Sequence, residues 1–299
     1  MELLFRMNLP ARMELPVLSG RKPGKRMGDW KAMIIIGEKI NGAIPAVAEA
    51  VAGRDADFIR KLAKLQADAG ADFIDCCAAV PVEEEARVLR WMIDCIQDVT
   101  ELPVSLDSPS PEVLLEVLPY CRKPGLINSV SGESGKMEKI FPAVAGTGWG
   151  IVCLLSDDTG IPKYAADRIK VFDRIMEKAE SYQIPPARLY IDPLAEMLCL
   201  SENGMETAAE VIRAVRRRYP DIHITAAVSN VSFQLPVRRA VNQGFAVLAM
   251  NAGLDSAILD PSDRSLMGVI YAAEALLGRD EYCLEYISAY RRGIFGPGK

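Results

Sequence analysis

Run after run of apolar residues in this chain ends in a carboxylate, an amide or a hydroxyl. Residues 33–37 lead to Glu38 and Asn41, 73–74 to Asp75, 104–106 to Asp107 and Ser108, and 125–127 to Asn128 and Ser129. Residues 149–155 lead to Ser156, Asp157 and Asp158, 188–191 to Asp192, and 222–228 to Ser229 and Asn230. An ionised carboxylate only accepts hydrogen bonds, whereas an amide both donates and accepts. Together they suit an aminopyrimidinone ring, whose guanidine-like edge offers paired N–H donors to a carboxylate beside acceptor atoms that an amide can serve. Taken singly, each residue also reads as the N-cap of a following helix. As a run, with Asp107 followed by Ser-Pro and Asp192 by Pro, they point to one polar ligand.

For these side chains to meet, the apolar runs must be parallel strands whose carboxyl ends share a face. The pattern predicts strands at 33–37, 73–76, 104–106, 125–127, 149–155, 188–191, 222–228 and 254–259. Amphipathic stretches between them predict helices at 55–69, 82–99, 111–118, 164–181 and 205–219. Gly70 stands where glycine closes a helix, and Pro81 and Pro111 stand at helix starts. No composition break marks a linker, so residues 33–299 are expected to form a single (β/α)8 TIM barrel with a C-terminal helix. A doubly wound open sheet is the runner-up. Against it, Glu38-Lys39-Ile40-Asn41-Gly42 after the first strand lacks the glycine spacing that cradles a dinucleotide.

Composition narrows the partners. The chain has 299 residues, half of them hydrophobic and 25% charged, enough for a large core. A formal net charge of −5 argues against a nucleic-acid backbone, which needs a dominant basic face. Apolar runs such as 151–155 fall far short of the roughly 20 residues that span a bilayer, so no membrane role is expected. Seven cysteines, with Cys76 and Cys77 adjacent, read as reduced, packed thiols of a cytoplasmic protein. They show no metal-ligand spacing. Residues 1–32 form a basic N-terminal extension without hydrophobic period, and Glu2-Leu3-Leu4-Phe5 is too short an apolar segment for secretion. Met33 then opens the barrel proper.

Several stretches resemble the pterin-binding methyltransferases, which include methyltetrahydrofolate:corrinoid methyltransferases and the folate-binding module of cobalamin-dependent methionine synthase. They are residues 36–42, 106–108, 127–129, 159–162, 190–194, 229–232 and 253–258; each is weak alone, but their order and spacing are specific. The resemblance implies a pterin-type TIM barrel that moves a methyl group between N5 of tetrahydrofolate and the cobalt of a corrinoid. It implies that Asp107, Asn128 and Asp192 hold the pterin ring, that Ser229 shapes the adjoining loop, and that Asn230 sits by N5, with Asn230 and Asp107 the catalytic candidates. Asp75 matches a further pterin-contact motif at its first position, although Cys77 stands where asparagine is usual and Ala79 where glycine is. Phe233 stands where some relatives have glutamine. Tetrahydrofolate or 5-methyltetrahydrofolate is then the substrate, cobalamin is carried by a corrinoid partner protein, no metal is bound by the chain itself, and a homodimer is implied.

Other readings stay open at this point. A dihydropteroate synthase would carry a basic segment where this chain has Ser229-Asn230-Val231-Ser232-Phe233-Gln234. A zinc enzyme would need more imidazole or thiolate ligands than His223, which lies on an apolar strand and reads as core. A Schiff-base aldolase would need a lysine inside the mouth, and Lys39 and Lys163 only flank the strand ends. A non-catalytic folate-binding barrel is the alternative outside enzymes. Met197, Leu198 and Leu200 read as loop packing, and Arg213, Arg216, Arg217 and Arg218 as the solvated face of a helix.

Overall fold

The computed structural model describes residues 32–201 and 203–297; the basic extension lies outside them apart from its last residue. Eight strands form the sheet: β1 (Ile34–Asn41), β2 (Phe73–Cys77), β3 (Val104–Asp107), β4 (Leu126–Ser131), β5 (Gly150–Leu154), β6 (Leu189–Asp192), β7 (His223–Ile224) and β8 (Ser256–Leu259). All their pairings are parallel, in the order β7-β6-β5-β4-β3-β2-β1-β8. Backbone bonds across the remaining seam, Ile258 N to Ala226 O at 2.9 Å and Val228 N to Ile258 O at 3.0 Å, close the ring.

The helices are α1 (Pro45–Gly53), α2 (Ala56–Asp68), α3 (Val82–Gln97), α4 (Pro111–Val117), α5 (Lys136–Val144), α6 (Ala165–Ser181), α7 (Gly204–Arg218), α8 (Arg238–Ala252), α9 (Arg264–Leu276) and α10 (Leu284–Arg292). Five of them, α2, α3, α4, α6 and α7, follow the ranges expected from the sequence. Gly70 adopts φ +97° just beyond α2, the left-handed conformation expected of a closing glycine. The helix at 45–53 was not legible in the pattern: its Pro-Ala-Val-Ala-Glu-Ala-Val-Ala-Gly run favours helix by alanine content but separates apolar from polar faces weakly.

The expected strand 222–228 is a regular ladder only over His223–Ile224. Beyond it the chain still bonds to both neighbours, Thr225 N to Ile191 O at 2.9 Å among them, before a turn begins with Asn230 N to Ala227 O at 3.2 Å. That departure from the ladder separates Ser229 and Asn230 from the strand proper.

Alternation along the strands sorts the core in two. Ile36, Leu126, Val152, Tyr190 and Ile258, from five strands, pack together inside the barrel, while the intervening residues pack against the helices, as period two demands. Gly150 makes the interior packing possible. A Cβ there would lie 2.5 Å from Leu126 Cδ2 and 3.0 Å from Tyr190 Cε2.

At the amino end of the barrel, His223 is buried and stacks on Tyr190 with ring centroids 4.5 Å apart. Its Nδ1 lies 2.9 Å from Asp255 Oδ2, and Arg216 donates to Asp255 Oδ1 at 2.8 Å. His223 is therefore a satisfied core residue. Arg216 corrects the solvated-face reading of its cluster, because it also donates to Ile222 O and Gly253 O and ties α7 to β7 and β8. Arg213, Arg217 and Arg218 are exposed.

Candidate active site

Two irregularities in strand register place polar groups at the mouth. Along β1 the pairing steps from Gly37 with Ile74 to Ile40 with Cys76, so Glu38 and Lys39 together oppose Asp75. This is a β-bulge, which re-aims side chains and frees a backbone group. The freed N–H of Lys39 donates to Gln66 Oε1 at 2.9 Å, from a fully buried glutamine on α2. A Cβ on Gly37 would sit 2.5 Å from that same oxygen, so glycine is what lets the glutamine in. Lys39 is 3.1 Å from Asp260, and Glu38 Oε2 accepts from Ser229 Oγ at 3.0 Å. Along β4 the step falls between Asn128 and Val130, and Asn128 pairs in register with Asp107.

Asp75, Asp107, Asn128 and Asp192 share the strand parity of Phe73, Leu126 and Tyr190, which pack inside the barrel, and so face its interior. Asp75 is buried at 4% exposure, and its Oδ1 accepts from Ser105 Oγ at 2.6 Å and Asn128 Nδ2 at 3.2 Å. It holds Asn128 from behind, leaving the amide oxygen and the second N–H of Asn128 for another partner. Asp107, half-buried, is bonded by the Cys77 thiol. Asp192 is buried, accepts from Leu194 N at 2.7 Å, and lines a cavity of 410 Å³ together with the exposed residue Asn230. The sequence-predicted residues thus fall into three groups: Asp75 with Asp107 and Asn128; Asp192 with Asn230; and Ser229 with Glu38. The third joins the second through the Ser229-Asn230 peptide, and Glu38 acts on Asp75 through its charge.

Burial makes these acids weak. Glu38 is raised to about 7 by burial, partly offset by the Ser229 hydroxyl and reinforced by the charge of Asp260. Asp107 is raised to about 6 by burial, against the Cys77 hydrogen bond. Asp192 is raised to about 6 by burial, against the Leu194 N–H and the charge of Arg168. Burial, then the charge of Asp107, pushes Asp75 well up. A cluster of carboxyls whose ionisation is poised near neutrality is a mark of functional sites. The Cys76 and Cys77 thiols are also pushed up by burial, which makes them inert rather than nucleophilic.

Arg168 was missed in the sequence. It is fully buried on α6 and donates to Pro162 O at 2.8 Å, Pro193 O at 2.6 Å, Leu194 O at 2.8 Å and Glu196 Oε2 at 2.8 Å. It clamps the loops after β5 and β6 and so fixes Asp192. The available signal was its place on the apolar stripe Ala165, Phe172, Ile175 and Ala179, where an arginine has no surface role. Arg168→Ala leaves three carbonyls and a carboxylate unpaired and is expected to cost about 3–5 kcal/mol. Chemical denaturation checks this; a loss under about 1 kcal/mol would show the clamp to be dispensable.

The loop after β6 corrects another reading. Leu198 and Leu200 are exposed, Leu200 at 72%, and Met197 and Leu200 line the mouth cavity. They are not buried loop packing. A larger cavity, 640 Å³, lies beside the start of α9. Arg239 there is paired with Asp263 and Arg264 Nη1 donates to the Gly293 carbonyl, and the lining includes none of the strand-end residues, so the mouth is the better candidate. Among the described residues no group of histidines, cysteines and acids could hold a metal ion, and no helix is long and apolar enough to cross a membrane.

Residues 46–260 match the sequence pattern of the family described as pterin binding enzyme. The chain belongs to the pterin-binding enzyme family. This pterin-binding barrel is 44% identical over 267 residues to a methylcorrinoid:tetrahydrofolate methyltransferase of Eubacterium limosum, covering 89% of this chain and 98% of that one. It is 27% identical over 245 residues to methionine synthase of Mycobacterium tuberculosis, covering 77% of this chain but only 20% of that protein. Among solved structures it resembles a clostridial dihydropteroate synthase crystallised with pteroic acid, with a TM-score of 0.63 at 19% identity over 84% of this chain and 99% of that one. A Yersinia pestis dihydropteroate synthase gives a TM-score of 0.62 at 17% identity, covering 83% and 95%. At these identities the two structures speak for the shared barrel alone.

Proposed function

We propose that this pterin-binding enzyme is a methyltransferase that moves a methyl group between N5 of tetrahydrofolate and the cobalt of a corrinoid carried by a partner protein. The observation that carries the reading is that the buried, weak carboxyl of Asp192 and the exposed Asn230 line one cavity at the barrel mouth. The 44% identity to a methylcorrinoid:tetrahydrofolate methyltransferase supports the same chemistry. The corrinoid supplies a cobalt that takes or gives the methyl group by direct displacement. This chain supplies the grip on the pterin and the handling of one proton.

Asp107 and Asp192 accept the N–H donors of the pterin ring, and Asn128, oriented by Asp75, serves its acceptor and donor atoms. Asn230 offers its amide to N5. When the bond from N5 to the methyl carbon breaks, its electron pair stays on nitrogen, which must take a proton or a strong hydrogen bond. An amide cannot give up a proton, but Glu38 can, because its carboxyl titrates at about 7 and bonds to Ser229, the neighbour of Asn230. In the opposite direction the nucleophilic N5 sheds a proton as the carbon–nitrogen bond forms, and the ionised Glu38 accepts it.

The direct test is an ultraviolet-visible assay of methyl exchange between free methylcobalamin and tetrahydrofolate. Turnover with a pterin pyrophosphate and p-aminobenzoate in place of that exchange would defeat the reading in favour of a dihydropteroate synthase. Folate binding without either reaction would make the chain a non-catalytic carrier. A homodimer in the cytoplasm belongs to the same reading, and sedimentation of the purified protein checks the dimer.

Folate affinity should depend on pH with a definite sign. Asp107 and Asp192 are about half protonated near pH 6 in the free protein, and donors on the pterin favour their ionised forms. Binding therefore weakens as pH falls through about 6 and levels off above about 7, by about tenfold or more between about pH 5 and about pH 7. Calorimetric titration across that range should show it, with proton release on binding near pH 6. A flat profile would mean that these carboxyls do not accept from the ring.

A further inference from the structure

We propose that Gln66 is a positioning residue for the proton step: from behind the sheet it holds open the β1 bulge that turns Glu38 and Lys39 together into the barrel mouth. The proposal rests on the methyl-transfer reading, in which Glu38 handles the proton at N5, and adds the device that places that carboxyl.

Two residues here are poor choices for a barrel wall. Gln66 is fully buried on the stripe of α2 that also buries Ile59 and Ala63, where an apolar side chain would pack without leaving a polar group to satisfy. Its Oε1 accepts from Lys39 N at 2.9 Å, but its Nε2 has no hydrogen-bond partner among the described residues. Gly37 is a glycine inside a strand, which forfeits side-chain packing. A Cβ there would lie 2.5 Å from Gln66 Oε1 and 3.0 Å from Gln66 Cδ. Both choices serve one contact, that of the glutamine oxygen with the backbone N–H that the bulge frees. Packing alone accounts for neither.

What the contact secures is an orientation. In a regular strand consecutive side chains go to opposite faces. Since Ile36 packs inside the barrel, an unbroken β1 would send Glu38 and Ile40 inward and Lys39 outward against the helices. With the bulge, Ile40 is instead fully buried in the helix-facing core. Glu38 Oε2 meets Ser229 Oγ at 3.0 Å, and Lys39 Nζ reaches Asp260 Oδ2 at 3.1 Å. The charged groups that face Glu38 are therefore Lys39 beside it, Asp260 after β8, Arg238 of α8 and Asp75 of β2. Without an acceptor for its freed N–H the bulge loses its anchor, and this arrangement loses its cause.

Two variants test it. Gln66→Met keeps the length of the side chain and removes the acceptor, and Gly37→Ala pushes the glutamine oxygen, the end of a flexible side chain, off the N–H. Each is expected to slow exchange between methylcobalamin and tetrahydrofolate about tenfold or more. The tetrahydrofolate Kd should stay within about twofold of wild type, because Asp107, Asn128 and Asp192 stand on other strands. In a Glu38→Gln background the same changes should slow exchange less than about twofold, since a residue that acts through Glu38 then has nothing to act on. Carbon-13 NMR of the glutamate carboxyls, with Glu38 identified by its absence from Glu38→Gln, should show its titration falling from about 7 toward the ordinary glutamate value of about 4.3 in both variants. Equal losses of rate in the two backgrounds would make Gln66 merely structural and overturn the proposal, as would a Kd that rises in step with the fall in rate. So would an unmoved Glu38 titration, a readout that needs no turnover. A wild-type protein that exchanges no methyl group would sink the methyl-transfer reading alone, and the titration would still decide whether Gln66 places Glu38.

Discussion

Asn230→Ala is expected to slow methyl exchange by about 100-fold or more, with tetrahydrofolate affinity reduced far less and the fold intact. Asn230 is an exposed residue lining the cavity and not part of the core, so its truncation opens no core void and should cost well under about 1 kcal/mol of stability. Its value lies in the transition state. As the carbon–nitrogen bond breaks, charge develops on N5, and a donor held in place by the barrel stabilises that charge without first having to reorganise. The ground-state folate, whose N5 carries a methyl group and no developing charge, gains less from the same contact, so the loss belongs in the rate more than in Kd. Stopped-flow rates for wild type and variant, with circular dichroism to confirm folding, test this. Transfer within about threefold of wild type would remove Asn230 from the mechanism.

Glu38→Gln should have an effect of similar size, about 100-fold or more, the scale of a lost general acid. The change is nearly isosteric, and the glutamine amide can still meet the Ser229 hydroxyl, so the bulge and its contacts should survive. What is lost is titration. In wild type, transfer from methyltetrahydrofolate needs the protonated carboxyl, so its rate falls as pH rises through about 7. Transfer to tetrahydrofolate needs the carboxylate, and its rate rises through the same pH. The two directions should show opposite limbs, and the glutamine variant should show neither. The pterin-binding carboxyls add a second limb at about 6, rising with pH in both directions. Persistence of the limb near 7 in Glu38→Gln would assign that titration to another group.

Glu38 also shows how far reading the chain alone could go. It was visible as a polar residue behind an apolar run, but so were Asn41, Asp157 and Ser156. Asp157 turned out to serve its own loop, accepting from Thr159 and Arg174. Nothing local distinguishes the two cases. The difference is that Glu38 sits in a bulge, held open by Gln66 from α2, facing Ser229 from the far side of the barrel seam. Asp75 differs in a related way. By sequence it was a candidate pterin contact; in space it lies beneath Asn128 and Ser105, where it orients an amide.

The succession of eight strands, the main helices between them and the common face of the strand-end residues were determined by sequence alone, because periods of two and 3.6 are local properties of the backbone. Tertiary structure decided the rest. It chose which acids are buried deeply enough to stay half protonated, because desolvation depends on what packs around a group and not on its neighbours in the chain. It turned Arg168 from an ordinary helical arginine into a clamp on two loops, and it left Leu200 and Phe233 uncovered beside Asn230, because both outcomes depend on which distant backbone arrives at the same place.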